Sequence, residues 1–266
     1  ISAGEINIDP DGYTVGNAGK IAYTGKYGLF QTKEEAHTVW FGTDGTYDVT
    51  LKGLHVTGEG LQNPVIWVSE NSVVNLTLDG DNLLDTRGAN YQEWSAIKIY
   101  SDSTLNITGN GTLTTISSYW PSIVTHGACR INISGENTAV KAYGMRFDAT
   151  TLFAIQEDDS NSGEANLQLS VTDGATLEAY GGIRATKLKL DDTATLWSQA
   201  YRNGVPPALP PKVEYESSDT YLYYFSNEFL PRSLVTWGRA YRYLRYLNEI
   251  EPDSDWELLD TGALFI

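Results

Sequence analysis

The sequence predicts an all-β chain: a right-handed parallel β-helix (a solenoid) with a C-terminal cap or extension. Three observations predict it. Short runs of alternating apolar and polar residues are broken by Gly, Asn and Asp, which is how half-buried strands read. The runs recur, with 31 residues from Ile66 to Ile97 and 26 from Ile97 to Ile123, and a period of that size means units that stack on their neighbours. The copies also keep one internal register, which a β-sandwich would not require.

Residues 1–45 precede the clear copies. They mix strand and turn signals, as in "DPDGYTV" and "EEAHTVW", and are expected to cap the open edge of the stack. A weak echo starts at Tyr47, in "YDVTLKGLHVTGEG". The three strongest copies are "VIWVSENSVVNLTLDGDNL", "AIKIYSDSTLNITGNGTL" and "SIVTHGACRINISGENTAV". Stacking them places Ile66, Ile97 and Ile123 in one buried column and Leu76, Ile107 and Ile133 in another, about 4.8 Å apart. Leu83, Leu113 and Val140 are expected to close the unit. Asn75, Asn106 and Asn132 fall between inward aliphatics and should form an outward row of amides. Asn106 also heads an N-x-T sequon, which matters only in a host that glycosylates.

Two looser copies follow, "QLSVTDGATLEAYGG" and "KLKLDDTATLWSQA". An insertion, "EDDSNSGEA", interrupts the first of them, whose start at Ile155 or at Met145 aligns equally well. The proline-rich "GVPPALPPK", Gly204 to Lys212, is a break. The expected division is therefore a β-helix with its N-terminal cap over 1–205 and a cap or small extension over 206–266. In the extension, Leu234, Trp237, Tyr241, Leu244 and Leu247 lie near helical spacing and suggest a short helix.

Bulk composition narrows the function. The chain carries 18 Lys+Arg against 34 Asp+Glu, a net charge of −16. Nucleic acid is excluded as a partner, because phosphate binding needs a basic face. No apolar run is long enough to span a membrane. Cys129 is the only cysteine, so no intrachain disulfide forms, and it reads as a small packed residue. Starting at Ile1, the sequence reads as a mature or trimmed fragment.

Aromatic residues are abundant, with 17 Tyr and seven Trp. Trp94, Trp120 and Tyr180 each lie three residues before a unit's first isoleucine, with Tyr91 and Tyr119 nearby. Trp67 lies between inward Ile66 and Val68 and should face outward, in the row that holds Lys98. Flat rings on a rigid face suit the apolar faces of sugars; the same rings also serve as packing over strand edges. Asp79 and Asp81 in "DGD" are candidate calcium ligands, as are Glu157 to Asp159 and the acids of "DPDG". Turn geometry accounts for such acids equally well. No acid or base is marked as catalytic. His37, His55 and His126 are isolated, and Arg87, Arg146, Arg184 and Lys187 are the basic residues a lyase would draw on.

The phrases "AIKIYSDSTLNITGNGTLTT" and "VIWVSENSVVNLTLDG" resemble the carbohydrate-binding β-helix domains of anaerobic bacteria, and more broadly the pectate-lyase-like β-helix superfamily. The resemblance covers roughly residues 45–200. It implies a non-catalytic protein, secreted or on the bacterial cell surface, that binds polysaccharide or host glycan, with calcium sometimes held between coils. Two other readings stay open: a polysaccharide lyase or glycoside hydrolase, and a structural adhesin or stalk.

Overall fold

The computed structural model describes residues 5–30, 37–57, 61, 63–87, 95–117, 120–144, 153–158, 166–180, 183–191 and 193–199, together with four short strands beyond them. Every regular element among the described residues is a β-strand. The helix expected around Leu234 to Leu247 falls outside them.

The chain begins with β1 (Ile6–Asp9) and β2 (Gly12–Val15), an antiparallel hairpin, followed by β3 (Ile21–Ala22) and β4 (Tyr27–Leu29). The unit pattern then sets in. Unit one holds β5 (Val39–Phe41), β6 (Thr46–Lys52) and β7 (His55–Thr57). Unit two holds β8 (Ile66–Val68) and the long β9 (Val73–Asp85), and unit three holds β10 (Ile97–Ile99) and β11 (Thr104–Ser117). Unit four holds β12 (Ile123–His126), β13 (Ala128–Ser134) and β14 (Thr138–Gly144). Unit five holds β15 (Ile155–Asp158), β16 (Asn166–Thr172) and β17 (Thr176–Tyr180). Unit six holds β18 (Ile183–Ala185), β19 (Lys187–Leu190) and β20 (Thr195–Gln199). Unit five thus starts at Ile155, which pairs with Ile123. Val39-Trp40-Phe41 begins a unit too, aligned with Ile66-Trp67-Val68; the repeat therefore reaches into the segment expected to be cap.

The first strand of every unit joins one ten-stranded sheet, and the remaining strands join a twelve-stranded sheet. Pairing between units is parallel throughout. Among the described residues antiparallel pairs occur at the two ends: β1–β2–β3 at the start, and β18 with β21 (Tyr221–Tyr223) and β20 with β22 (Leu230–Pro231) later on. A last two-stranded sheet pairs β23 (Glu257–Leu258) with β24 (Leu264–Phe265).

Like residues lie beside like. Ile66, Ile97, Ile123, Ile155 and Ile183 form one fully buried column. Leu76, Ile107, Ile133 and Val171 form a second. One expected column is corrected. Leu113 pairs with Val140 but with Asn82, not Leu83. The two long strands run without offset because Gly80 lies beside Gly111, where a Cβ would collide with the Gly80 carbonyl. Asn82 is then carried inward. Its Oδ1 accepts the Leu54 N–H at 2.9 Å and its Nδ2 donates to the Gly80 carbonyl at 3.0 Å, so the buried amide is satisfied.

The corner after the first strand also repeats in units one to three. Asp44, Asn71 and Asp102 take left-handed φ values of 58°, 56° and 61°, a conformation Asn and Asp tolerate best among non-glycine residues. In units two and three a serine follows. Ser72 Oγ donates to the Gly42 carbonyl at 2.6 Å, and Ser103 Oγ to the Ser69 carbonyl at 2.7 Å. Cys129 takes the same place, with Sγ 3.2 Å from the Tyr100 carbonyl. The outward amide row forms as expected: Asn106 Nδ2 donates to Asn75 Oδ1 at 2.7 Å, and Asn132 Nδ2 to Asn106 Oδ1 at 2.8 Å.

Candidate functional site

Strand alternation sets the outward face of the ten-stranded sheet. In β8, Ile66 and Val68 are buried and Trp67 is half-buried between them. Trp67 lies beside Trp40 and Lys98 in register. The Trp40 and Trp67 ring centroids are 4.1 Å apart. On the other side Trp67 stacks on Tyr100 at 4.9 Å, and Tyr100 stacks on His126 at 5.1 Å. Lys98 Nζ lies 5.3 Å from the ring centres of both Trp67 and Tyr100, within cation–π range. Trp67 therefore faces outward, as parity required, but both its faces are covered. It offers an edge, not a platform.

Trp120 is different. It is 37% exposed, and its backbone N–H reaches Ser117 Oγ at 3.3 Å. Trp40 and Trp67 are half-buried partners in the stack, so among the tryptophans with described side chains Trp120 alone is exposed. Tyr180 does not share its column. It pairs with Tyr143, which pairs with Ile116; the chain between Ile116 and Ile123 is longer than that between Tyr180 and Ile183, so Trp120 sits in the extra length. The Tyr143 and Tyr180 rings are parallel within 5° at 4.1 Å. The Tyr180 phenol donates to Glu178 Oε2 at 2.6 Å, and Lys141 Nζ lies 3.3 Å from Glu178 Oε1. Burial first, then the bond to the Glu178 carboxylate, raise the Tyr180 hydroxyl well above an ordinary tyrosine. Tyr91, Trp94 and Tyr119 lie outside the described residues.

The acids are mostly engaged. Asp79 is ion-paired with Lys52 at 3.1 Å, while Asp81 is exposed two residues away. Asp9 and Asp11 both bind Lys20. Glu157 is buried, and its Oε2 accepts the Leu167 N–H at 2.8 Å, the Thr186 N–H at 3.1 Å and the Thr186 hydroxyl at 2.7 Å. Arg87 is held by Asp85, with Nη2 at 2.6 Å from Oδ2. Among the described residues no three His, Cys, Asp or Glu side chains converge on a point. The Cys129 thiol is pushed up to about 12, chiefly by burial, which removes the thiolate that nucleophilic chemistry needs.

The stack of Trp40, Trp67, Tyr100 and His126 is only partly legible in the sequence. Aligning "VWF" with "IWV" finds Trp40. Tyr100 and His126 share a place one residue past the inward Ile99 and Thr125, a signal that register alone reveals.

Known protein families settle what kind of chain this is. The family described as "Carbohydrate-binding domain-containing protein" matches residues 13–179. The chain belongs to this family. No curated protein and no solved structure matches it. The carbohydrate-binding match spans units one to five, so it takes in Trp40, Trp67, Tyr100 and Trp120 and stops one residue short of Tyr180. No helix among the described residues is long and apolar enough to cross a membrane.

Proposed function

We propose that this chain is a non-catalytic, secreted or cell-surface parallel β-helix that binds polysaccharide or host glycan, with Trp120 as its principal sugar-stacking ring. The observation that carries this reading is the exposure of Trp120 within the span that matches the carbohydrate-binding family. A flat exposed indole buries the C–H face of a pyranose, and tryptophan contacts of this type commonly dominate an interface. The in-register parallel pairing supports the β-helix, with residues 1–205 as helix plus cap and 206–266 as a cap or extension. The family's ligand class supports a location outside the cell, where polymeric glycans are met.

The test is retention on a panel of insoluble and immobilised polysaccharides and host glycans, with wild type beside Trp120→Ala. The expected result is binding to at least one glycan, weakened about five- to thirtyfold by the substitution, or about 1–2 kcal/mol. Retention on no glycan overturns the reading. Release of reducing or unsaturated sugar during the assay replaces it with a hydrolase or a lyase.

A further inference from the structure

The strand ladder opens at its N-terminal end into a cleft of about 270 Å³, lined by β1, β2, β4 and the loop before β4. Ile6, Ile8 and Leu29 make its buried floor, and Tyr13, Tyr23 and Tyr27 its walls. The three rings meet edge to face, with centroids 6.4, 6.2 and 5.1 Å apart. Two phenols are tied into the backbone: Tyr23 donates to the Lys26 carbonyl at 2.9 Å, and Tyr27 to the Tyr23 carbonyl at 3.1 Å. Gly25 leaves the space the Tyr23 phenol occupies, since a Cβ there would collide with it. The walls are therefore fixed before any ligand arrives, and Tyr23 keeps 43% of its surface exposed. Lys26 completes the lining.

A preformed apolar concavity with few polar groups is how small-ligand sites are built. This one matches a pyranose: C–H faces against tyrosine rings, hydroxyls toward solvent. Its volume of about 270 Å³ is enough for a hexose unit. The net charge of −16 disfavours acidic sugars.

We propose that this tyrosine-walled cleft holds one neutral hexose-type residue, a chain end or branch of the bound glycan, separately from Trp120. The proposal rests on the glycan-binding reading above. The test is NMR titration of the whole protein with methyl glycosides of glucose, galactose, mannose, xylose and N-acetylglucosamine. Wild type is compared with Tyr13→Ala, Tyr23→Ala and Trp120→Ala. Tyr13 and Tyr23 both line the cleft, and Tyr23 is 43% exposed, so Tyr23→Ala removes a wall in a folded protein.

One of the glycosides is expected to shift the signals of Tyr13, Tyr23 and Tyr27, with affinity lowered about tenfold by either cleft variant and unchanged by Trp120→Ala. The cleft proposal is overturned if no glycoside shifts those signals, or if both cleft variants bind like wild type. Polymer retention that needs Trp120 while the glycosides ignore the cleft overturns the cleft alone. Cleft shifts without polymer retention uphold the cleft and overturn the polymer reading.

Discussion

Replacing Asn106 with Asp puts into the amide row a defect that the row cannot absorb. The row runs one way. Ser170 Oγ donates to Asn132 Oδ1 at 2.7 Å, Asn132 to Asn106, Asn106 to Asn75, and Asn75 Nδ2 to Asp48 Oδ1 at 2.8 Å. Aspartate at 106 still accepts from Asn132 but has nothing to give Asn75. If the Asn75 amide turns round to donate to the new carboxylate, its oxygen faces Asp48, which is also acceptor-only. The clash moves and does not vanish. One hydrogen bond is lost and two acceptors are opposed, so Asn106→Asp should cost about 1–3 kcal/mol. Asp48→Asn alone should cost under about 1 kcal/mol, because asparagine still accepts. In the double variant the amide introduced at position 48 can donate, the Asn75 amide can turn, and the part of the row from position 106 to 48 is satisfied in the reverse sense, while Asn132 still donates to position 106. A double-mutant cycle by urea denaturation should therefore give a coupling of about 1 kcal/mol or more in favour of the pair. Costs that simply add, within about 0.5 kcal/mol, would refute the directional row.

Three further outcomes follow from other parts of the molecule. Trp67→Ala removes two ring stacks and should destabilise by about 1–3 kcal/mol beyond the lost apolar burial, while glycan retention changes far less than in Trp120→Ala; thermal unfolding alongside the pull-down separates the two. Cys129→Ser should stay within about 1 kcal/mol of wild type in urea, because Ser72 and Ser103 hold the same corner position with the same kind of carbonyl bond, and native Cys129 should resist a thiol reagent until the protein is unfolded. Burial pushes the Asp191 carboxyl up, but the N–H groups of Asp173, Thr193 and Ala194 and the Thr193 hydroxyl outweigh it and hold the group at about 2, against an ordinary 3.8. A lowered folded value contributes stability that is present above the ordinary value and lost as the pH falls through the folded one. The urea midpoint should thus drop between about pH 4 and 2, and Asp191→Asn should flatten that drop; an unchanged slope in the variant counts against the assignment.

The core of this fold is readable because the period-2 pattern and the repeat agree. Spacing alone places Ile66, Ile97 and Ile123, and the Asn75, Asn106 and Asn132 row, in register. It misplaces Leu83, because polarity argues for Leu over Asn in a buried column. Register, fixed by the Gly80–Gly111 contact, overrides polarity, and the Asn82 amide is satisfied locally. The aromatic site is less legible. Alternation gives the side on which Trp67 projects, but not that Trp40 and Tyr100 cover both its faces, since Tyr100 reaches it diagonally across two strands. Distance to the next isoleucine groups Tyr180 with Trp120, and loops of unequal length make that distance a poor guide. The tyrosine cleft leaves no repeat signal, because it forms where the repeat begins.

The amide row has one more consequence. Side-chain amides aligned head to tail carry a net dipole along the stacking axis, much as peptide groups do along a helix. The N–H ends point toward the first unit, where Asp48 supplies a negative charge. The oxygen ends point toward the last, where Lys189 stands in register beside Ser170. Each end charge thus sits against the pole of opposite sign, so the dipole of the row is compensated within this one chain.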